Sequence, residues 1–404
     1  MSSAPDGGAR RPMLAFALVV GGTVLGIAGT DLVLPAVPSL PAVLGGSPAQ
    51  AQLVLAAFVA GTALGLLLFG ELGARLDQRR LLAGSLAAYG LLSAAAGLAP
   101  SLTALVWLRL AQGAAGAAAA VFAPGMIRDL FAGERAVRAL GLLGSIESLV
   151  PALAPIAGVW LLDRFGWRAS FDVIATLALV LAVLVAALRH RLPNSPPPPA
   201  DGSYATLLRD PVFLRYALSQ ACALGGLLVL VFGAPAVILD AMAGSLADFV
   251  TMQVVGIAFF ILGANLSGRV AGRIGVERTI AGGTVLSAAG MGAILAYGLA
   301  GGTVPWPLAV LSVPVNLGFG LRGPAGFMRA VVAARGDDAR GAALVVLAIL
   351  LTAAGGTALA APFITAGLPA LAGVAAAISC GAVLCLALLP RLAEGPAATA
   401  RSAG

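Results

Sequence analysis

The sequence predicts an all-α membrane protein with twelve transmembrane helices in two six-helix pseudo-repeats. Three observations predict it: an apolar composition, apolar runs of membrane-spanning length, and an internal repeat at a near-constant offset. Of 404 residues, 60% are hydrophobic and 10% charged. A soluble domain carries about 25% charged residues, and a folded exterior in water needs polar groups to cover it. In lipid that need disappears. Runs of about 20 apolar residues then cross the hydrocarbon as helices whose backbone bonds are internal. The 53 glycines and 25 prolines sit largely inside these runs, which membrane helices tolerate better than soluble ones.

Hydropathy, helix breakers and charge place the spans at 13–37, 49–72, 81–99, 102–125, 139–161, 169–188, 212–238, 248–270, 279–299, 305–330, 341–363 and 368–390. Short loops make successive helices antiparallel neighbours. All 24 basic residues are arginine. Arg109 and Arg322 fall within spans and Arg164 and Arg168 on one side; the other twenty fall on the side of the N-terminus. The positive-inside rule then puts both termini in the cytoplasm. The long polar connection holds Asn194-Ser195 and the run Pro196 to Pro199, read as a stiff, extended spacer. The expected organisation is a tail (1–12), a first six-helix bundle (13–188), a Pro-rich linker (189–211), a second bundle (212–390) and a tail (391–404).

The halves repeat. Gly70-Glu71-Leu72-Gly73-Ala74-Arg75-Leu76-Asp77-Gln78-Arg79-Arg80 joins spans two and three. Gly268-Arg269-Val270-Ala271-Gly272-Arg273-Ile274-Gly275-Val276-Glu277-Arg278 joins spans eight and nine. Pro124 to Arg128 matches Pro324 to Arg329, and Gly133-Glu134-Arg135 matches Gly336-Asp337-Asp338. A parallel six-plus-six repeat is the mark of a rocking transporter with its site between the halves near the midplane.

The chain resembles major facilitator superfamily transporters end to end. Within them it is similar to bacterial drug:proton antiporters of the bicyclomycin/chloramphenicol-resistance (Bcr/CflA) type. Five segments carry the resemblance: Asp31 to Pro38 ending span one, the loop Gly70 to Arg80, Arg109-Leu110-Ala111-Gln112-Gly113, Pro151 to Gly158, and Gly166-Trp167-Arg168 followed by Phe171. Ala74 stands where the family loop carries an acid and Asp77 where it carries glycine; Ala154 and Ala157 replace glycines of the antiporter motif. The resemblance implies proton-coupled efflux of amphipathic small molecules by alternating access from a bacterial cytoplasmic membrane. It assigns proton coupling to Asp31 and Arg109.

An ionisable group inside a span is a functional candidate by default. Asp31 and Arg109 lie at similar depths, about 10 Å below the outer surface at ~1.5 Å per residue. They are read either as a proton-exchanging pair or as a fixed ion pair. Glu147, about 12 Å deep on the same scale, either supplies a second carboxylate for a cation or proton, or is neutralised by a hydrogen bond. Thr23 lies at a similar depth, where some family members carry an acid. Arg322 either snorkels to the headgroups or pairs with Glu147 as a gate. Gln112, Asn265 and Asn316 bond either a neighbouring helix or substrate. Phe58, Tyr89, Phe122, Phe232, Phe259 and Phe319 are read first as packing. Arg75, Asp77, Arg273, Pro151, Pro155 and Gly158 are the remaining gating candidates; the two arginines serve as latches or merely set topology. Gly61, Gly65, Gly113 and Gly116 suit close helix approach.

Cys222, Cys380 and Cys385 lie in apolar runs and are read as packing residues. No catalytic residues, metal cluster or cofactor are implied, and His190 sits in a loop. The scattered arginines form no nucleic-acid stripe. The expected partners are the bilayer, a small-molecule substrate and protons, with the chain a monomer. The alternative function is a dedicated transporter of one metabolite, such as a sugar or amino-acid derivative, followed by a non-transporting sensor.

Overall fold

The computed structural model describes residues 10–193, 202–360, 363 and 366–392. Among them run twelve long helices: α1 (Arg10–Asp31), α2 (Pro48–Arg75), α3 (Gln78–Gly97), α4 (Leu102–Leu130, broken at Ala117), α5 (Glu134–Phe165), α6 (Ala169–Ala187), α7 (Pro211–Ala236), α8 (Leu246–Ile274), α9 (Val276–Leu299), α10 (Trp306–Ala333), α11 (Asp338–Ala360) and α12 (Leu368–Leu388). Ten are long and apolar enough to cross a membrane. The other two, α3 with Ser85, Tyr89 and Ser93, and α10 with Asn316 and Arg322, complete the two bundles. The proline stretch of the linker lies outside the described residues.

The helix ends follow local chemistry. Ser47, Asp77, Ser101, Ser203, Asp210 and Ser245 each accept a backbone N–H of the helix they precede, satisfying donors that a first turn leaves free. The first span differs from its expected 13–37. Its α-helix stops at Asp31, and a tighter turn, Leu34–Ser39, follows. Pro35 and Pro38 lack an N–H and disfavour helix in the residue before them. Conversely α5 runs through Pro151 and Pro155 and is longer than expected. The linker is not extended throughout: Tyr204–Arg209 forms a short helix against α7.

Each half carries two apolar clusters, one toward the side where α1 begins and α12 ends (the terminal side) and one toward the far side. In the first half these centre on Phe16, Phe69, Phe122 and Met126, and on Val54, Phe58, Trp167 and Phe171. In the second they centre on Phe213, Tyr216 and Ile280, and on Ile238, Met291 and Leu371. The far-side clusters stay within their own halves. The terminal-side clusters do not: Ala339 and Ala343 of α11 join the first-half cluster, and Val137 of α5 joins the second-half one. The two bundles therefore meet on the terminal side. Trp107, Trp160 and Trp306 are exposed near far-side helix ends, suited to a membrane–water interface.

Candidate translocation path

Arg109 is fully buried in the first half. Its Nε donates to the Val54 carbonyl at 3.3 Å and its Nη1 to Gln112 Oε1 at 2.9 Å, while the guanidinium lies 4.1 Å from the Phe58 ring centre. Gln112 passes the chain on, donating to Ser93 Oγ at 2.6 Å, and Ser93 donates to the Tyr89 carbonyl. A desolvated cation over a ring gains about 2 kcal/mol, and the polar chain covers part of the remaining cost of burial. Glycine makes this possible: Gly61 lies against the Leu110 carbonyl and Gly113 against the Phe58 carbonyl, so α2 and α4 touch backbone to backbone.

Asp31 does not reach this cluster. Among the described residues no ion pair joins it to Arg109. The reason is what stands between. Tyr89 donates to the Leu25 carbonyl of α1 at 3.0 Å, and the Tyr89 hydroxyl and Phe58 ring pack against Gly29. Equal depth did not mean facing sides. Asp31 is instead half-buried at the far end of α1, one residue before Leu32, whose carbonyl accepts Ser170 Oγ at 3.0 Å. Gly158 of α5 packs on that same carbonyl and on Pro35. The antiporter-like segment thus abuts the end of α1, with Gly158 buried, Pro155 half-buried and Pro151 exposed.

Glu147 lies thirteen residues into α5, about 20 Å from its start and deeper than expected. It is half-buried and within hydrogen-bonding reach of the Thr23 hydroxyl. Thr23 also donates to the Val20 carbonyl at 3.0 Å. Pro151, four residues after Glu147, has no N–H, so the Glu147 carbonyl loses its helical partner. Nearby, Gly144 packs against Phe260, and Ser145 Oγ accepts Asn265 Nδ2 at 3.1 Å. Through them α5 touches α8 of the second half, and Glu147 follows two residues on.

In the second half Arg322 is fully buried and does not snorkel; among the described residues no ion pair joins it to Glu147. Its Nη1 donates to the Ser219 carbonyl at 2.9 Å and its Nη2 faces Ser219 Oγ at 3.4 Å. It ties α10 to α7 inside one bundle. Gln112 is likewise fully buried and bonded within the Arg109 cluster. Asn316 is half-buried, bonds its own helix at the Ser312 carbonyl and packs on Gly256. Phe319, three residues on, stacks on Phe260 at 5.6 Å.

The terminal-side closure uses other charges than Arg75 and Arg273. Arg75 is largely exposed and pairs with Glu71 on its own helix at 2.5 Å, a contact worth about 0–1 kcal/mol. Arg273 is exposed. Asp77 caps α3 and pairs with Arg79 at 3.1 Å, all within the first half. Burial pushes its carboxyl up, but the Arg79 hydrogen bonds and the Arg79 and Arg80 charges outweigh this and hold it below the ordinary aspartate value. Arg340 makes the crossing instead. It is buried at the start of α11 and donates to Glu71 Oε2 of α2 at 2.6 Å and to Asp337 at 2.8 Å. Arg128 of α4 pairs with Asp338. The repeated loop glycines supply the close surfaces: Gly70 and Gly73 face Ala343 and Ala339 of α11, and Gly268 and Gly272 face Arg138 and Glu134 of α5.

Two six-helix bundles whose apolar clusters cross between them on the terminal side are the architecture of a membrane transporter. The chain belongs to the Major Facilitator Superfamily, which residues 19–358 match. It is 31% identical over 273 residues (65% of this chain, 66% of the relative) to an uncharacterized MFS-type transporter, YdgK, of Bacillus subtilis. It is 31% identical over 247 residues to a chloramphenicol resistance protein of Pseudomonas aeruginosa (60% and 58%). To the multidrug resistance protein MdtL of an Escherichia coli strain it is 26% identical over 243 residues (59% and 61%). The matches thus span about three fifths to two thirds of these relatives' length. The fold is shared with solved structures: FucP in its outward conformation (TM-score 0.73, 17% identity, 93% of this chain and 99% of that one) and the proton:xylose symporter XylE (0.72, 15%, 93% and 95%).

Proposed function

We propose that the chain exports amphipathic small molecules across a bacterial cytoplasmic membrane in exchange for protons. The terminal side, with its arginines, is the cytoplasmic one, and the conformation described faces outward. The observation that carries the reading is Glu147: a half-buried membrane carboxyl close to Thr23 of α1, with no cationic partner among the described residues. A proton entering from outside neutralises Glu147. Rocking then exposes the site to the cytoplasm, and the proton leaves as cargo takes its place. Asp31, at the far end of α1, is the outer relay for that proton. Arg109 holds α2 and α4 in register through its polar chain and so acts on the path from behind. The relatives named for chloramphenicol and multidrug resistance support the cargo class.

A sugar-type cargo is less well served. The buried polar side chains are spent inside the bundles: Gln112 and Ser219 on arginines, and Ser93 on Gln112. The test is a susceptibility panel in a host stripped of its own pumps, with and without an uncoupler. Resistance to amphipathic drugs that an uncoupler abolishes is expected. It should fall at least tenfold in Glu147→Gln and Asp31→Asn at unchanged membrane level. Resistance that survives the uncoupler, or survives both substitutions, rejects the mechanism.

A further inference from the structure

The linker helix is placed as more than a tether. It is rooted in the second half: Leu207 is buried beside Phe213 in that half's terminal-side cluster, and Asp210 caps α7 and pairs with Arg335 at 3.1 Å. Its first residue reaches the other half. Tyr204 Oη donates to the Leu67 carbonyl of α2 at 2.6 Å, and its ring packs against the first-half cluster. The slot for the hydroxyl exists because residue 70 is glycine; a methyl group there would strike the Tyr204 oxygen and Ala343 of α11. The start of the helix is held in turn by Arg340, whose Nη1 donates to the Gly202 carbonyl at 3.0 Å while its Nε holds Glu71 of α2.

We propose that the helix Tyr204–Arg209 is a conformational latch. Carried by the second bundle, it hooks Tyr204 onto the α2 backbone when the terminal side is shut, and so sets how much of the resting population is shut. Parting α2 from α11 must break the Tyr204 bond and the Arg340 pair together, because one seam holds both. The latch acts through residues downstream of the proline stretch, so it does not depend on chain continuity through that stretch. It concerns the balance between two bundle arrangements and holds whatever the cargo is.

Paired spin labels at Leu76 and Val332, both exposed on the terminal side, test this in protein free of native cysteines and reconstituted in lipid nanodiscs. The unmodified latch is expected to give mainly the short distance. Tyr204→Phe, which removes one oxygen and keeps the ring, should lower the short-to-long ratio several-fold. Cutting the chain at a protease site inserted between Pro198 and Pro199 should leave that ratio as it was. An unchanged ratio in Tyr204→Phe overturns the latch, and so does opening produced by the cut alone, which would make the linker a simple tether. Neither result bears on proton coupling, which the resistance panel reads separately.

Discussion

At the scale of single residues, burial without a carboxylate partner among the described residues is what sets Arg109 and Arg322 apart. Each lies fully buried inside one bundle, served by carbonyls and neutral side chains. Gln112 is the acceptor Arg109 depends on. Gln112→Leu keeps the volume, strips the guanidinium of that acceptor and Ser93 of its donor, and should cost about 1–3 kcal/mol, read as a lower unfolding midpoint in detergent. Export should fall with it, since Gln112 belongs to the polar chain through which Arg109 acts on the path. Asp77 has a pH signature. Its carboxyl is held below the ordinary value, so its contribution is complete above the unfolded-state value of ~3.9. It is lost as pH falls through the lower folded one. Asp77→Ala should destabilise by about 1 kcal/mol near neutrality through the lost cap, with the gap to wild type closing as thermal melts are taken at lower pH.

Residue depth was partly readable from the sequence, with Glu147 deeper than counting put it; residue direction was not readable. Counting along a helix put Asp31 and Arg109 at matching heights, but only the packed rings of Tyr89 and Phe58 against Gly29 show that they do not meet. The same counting could not see that Arg322 turns inward to Ser219. Arg340 was missed because it sat at the edge of an expected span and its partner Glu71 is 269 positions away. The one available signal was the repeat, which had already matched Gly336-Asp337-Asp338 to Gly133-Glu134-Arg135 and so marked that corner as special.

At the scale of elements, glycines decide which helices come together. Gly61 and Gly113 bring α2 onto α4, Gly158 brings α5 onto the end of α1, and Gly70, Gly73, Gly268 and Gly272 form the seams between bundles. A side chain at Gly113 would meet the Phe58 carbonyl, which cannot move aside as a flexible side chain would. Gly113→Val should therefore force α2 and α4 apart at a cost of about 1–3 kcal/mol and disturb the Phe58 ring under Arg109. Loss of thermal stability together with loss of export checks it; retained stability would contradict a backbone-to-backbone crossing of α2 and α4. The helices themselves were legible, because apolar runs and caps are local. Their ends were less so: Pro35 and Pro38 stop α1 early, whereas Pro151 and Pro155 leave α5 unbroken. Proline marks a lost hydrogen bond, and whether the helix survives depends on what packs around it.

At the scale of the whole molecule, the apolar clusters of the described residues cross between bundles on the terminal side alone. Such a body has a hinge of contacts to break before the other side can close, and the ion pairs Arg340–Glu71 and Arg128–Asp338 sit in that hinge. Exchanging charge through Arg340→Glu alone should open the terminal side and slow the cycle; adding Glu71→Arg should recover part of the loss. The shape also explains why function was less legible than fold. Two bundles follow from composition and repeat, whereas the cargo depends on a few side chains where the bundles part.

The most direct measurement is proton movement itself. Protein is reconstituted into proteoliposomes with a trapped pH-sensitive dye, and an amphipathic drug is added without any imposed gradient. The account predicts a drug-dependent change in internal pH, in the direction opposite to drug flux, that vanishes in Glu147→Gln while the variant stays folded. Drug flux with no accompanying proton movement, or an undiminished pH change in Glu147→Gln, would contradict it.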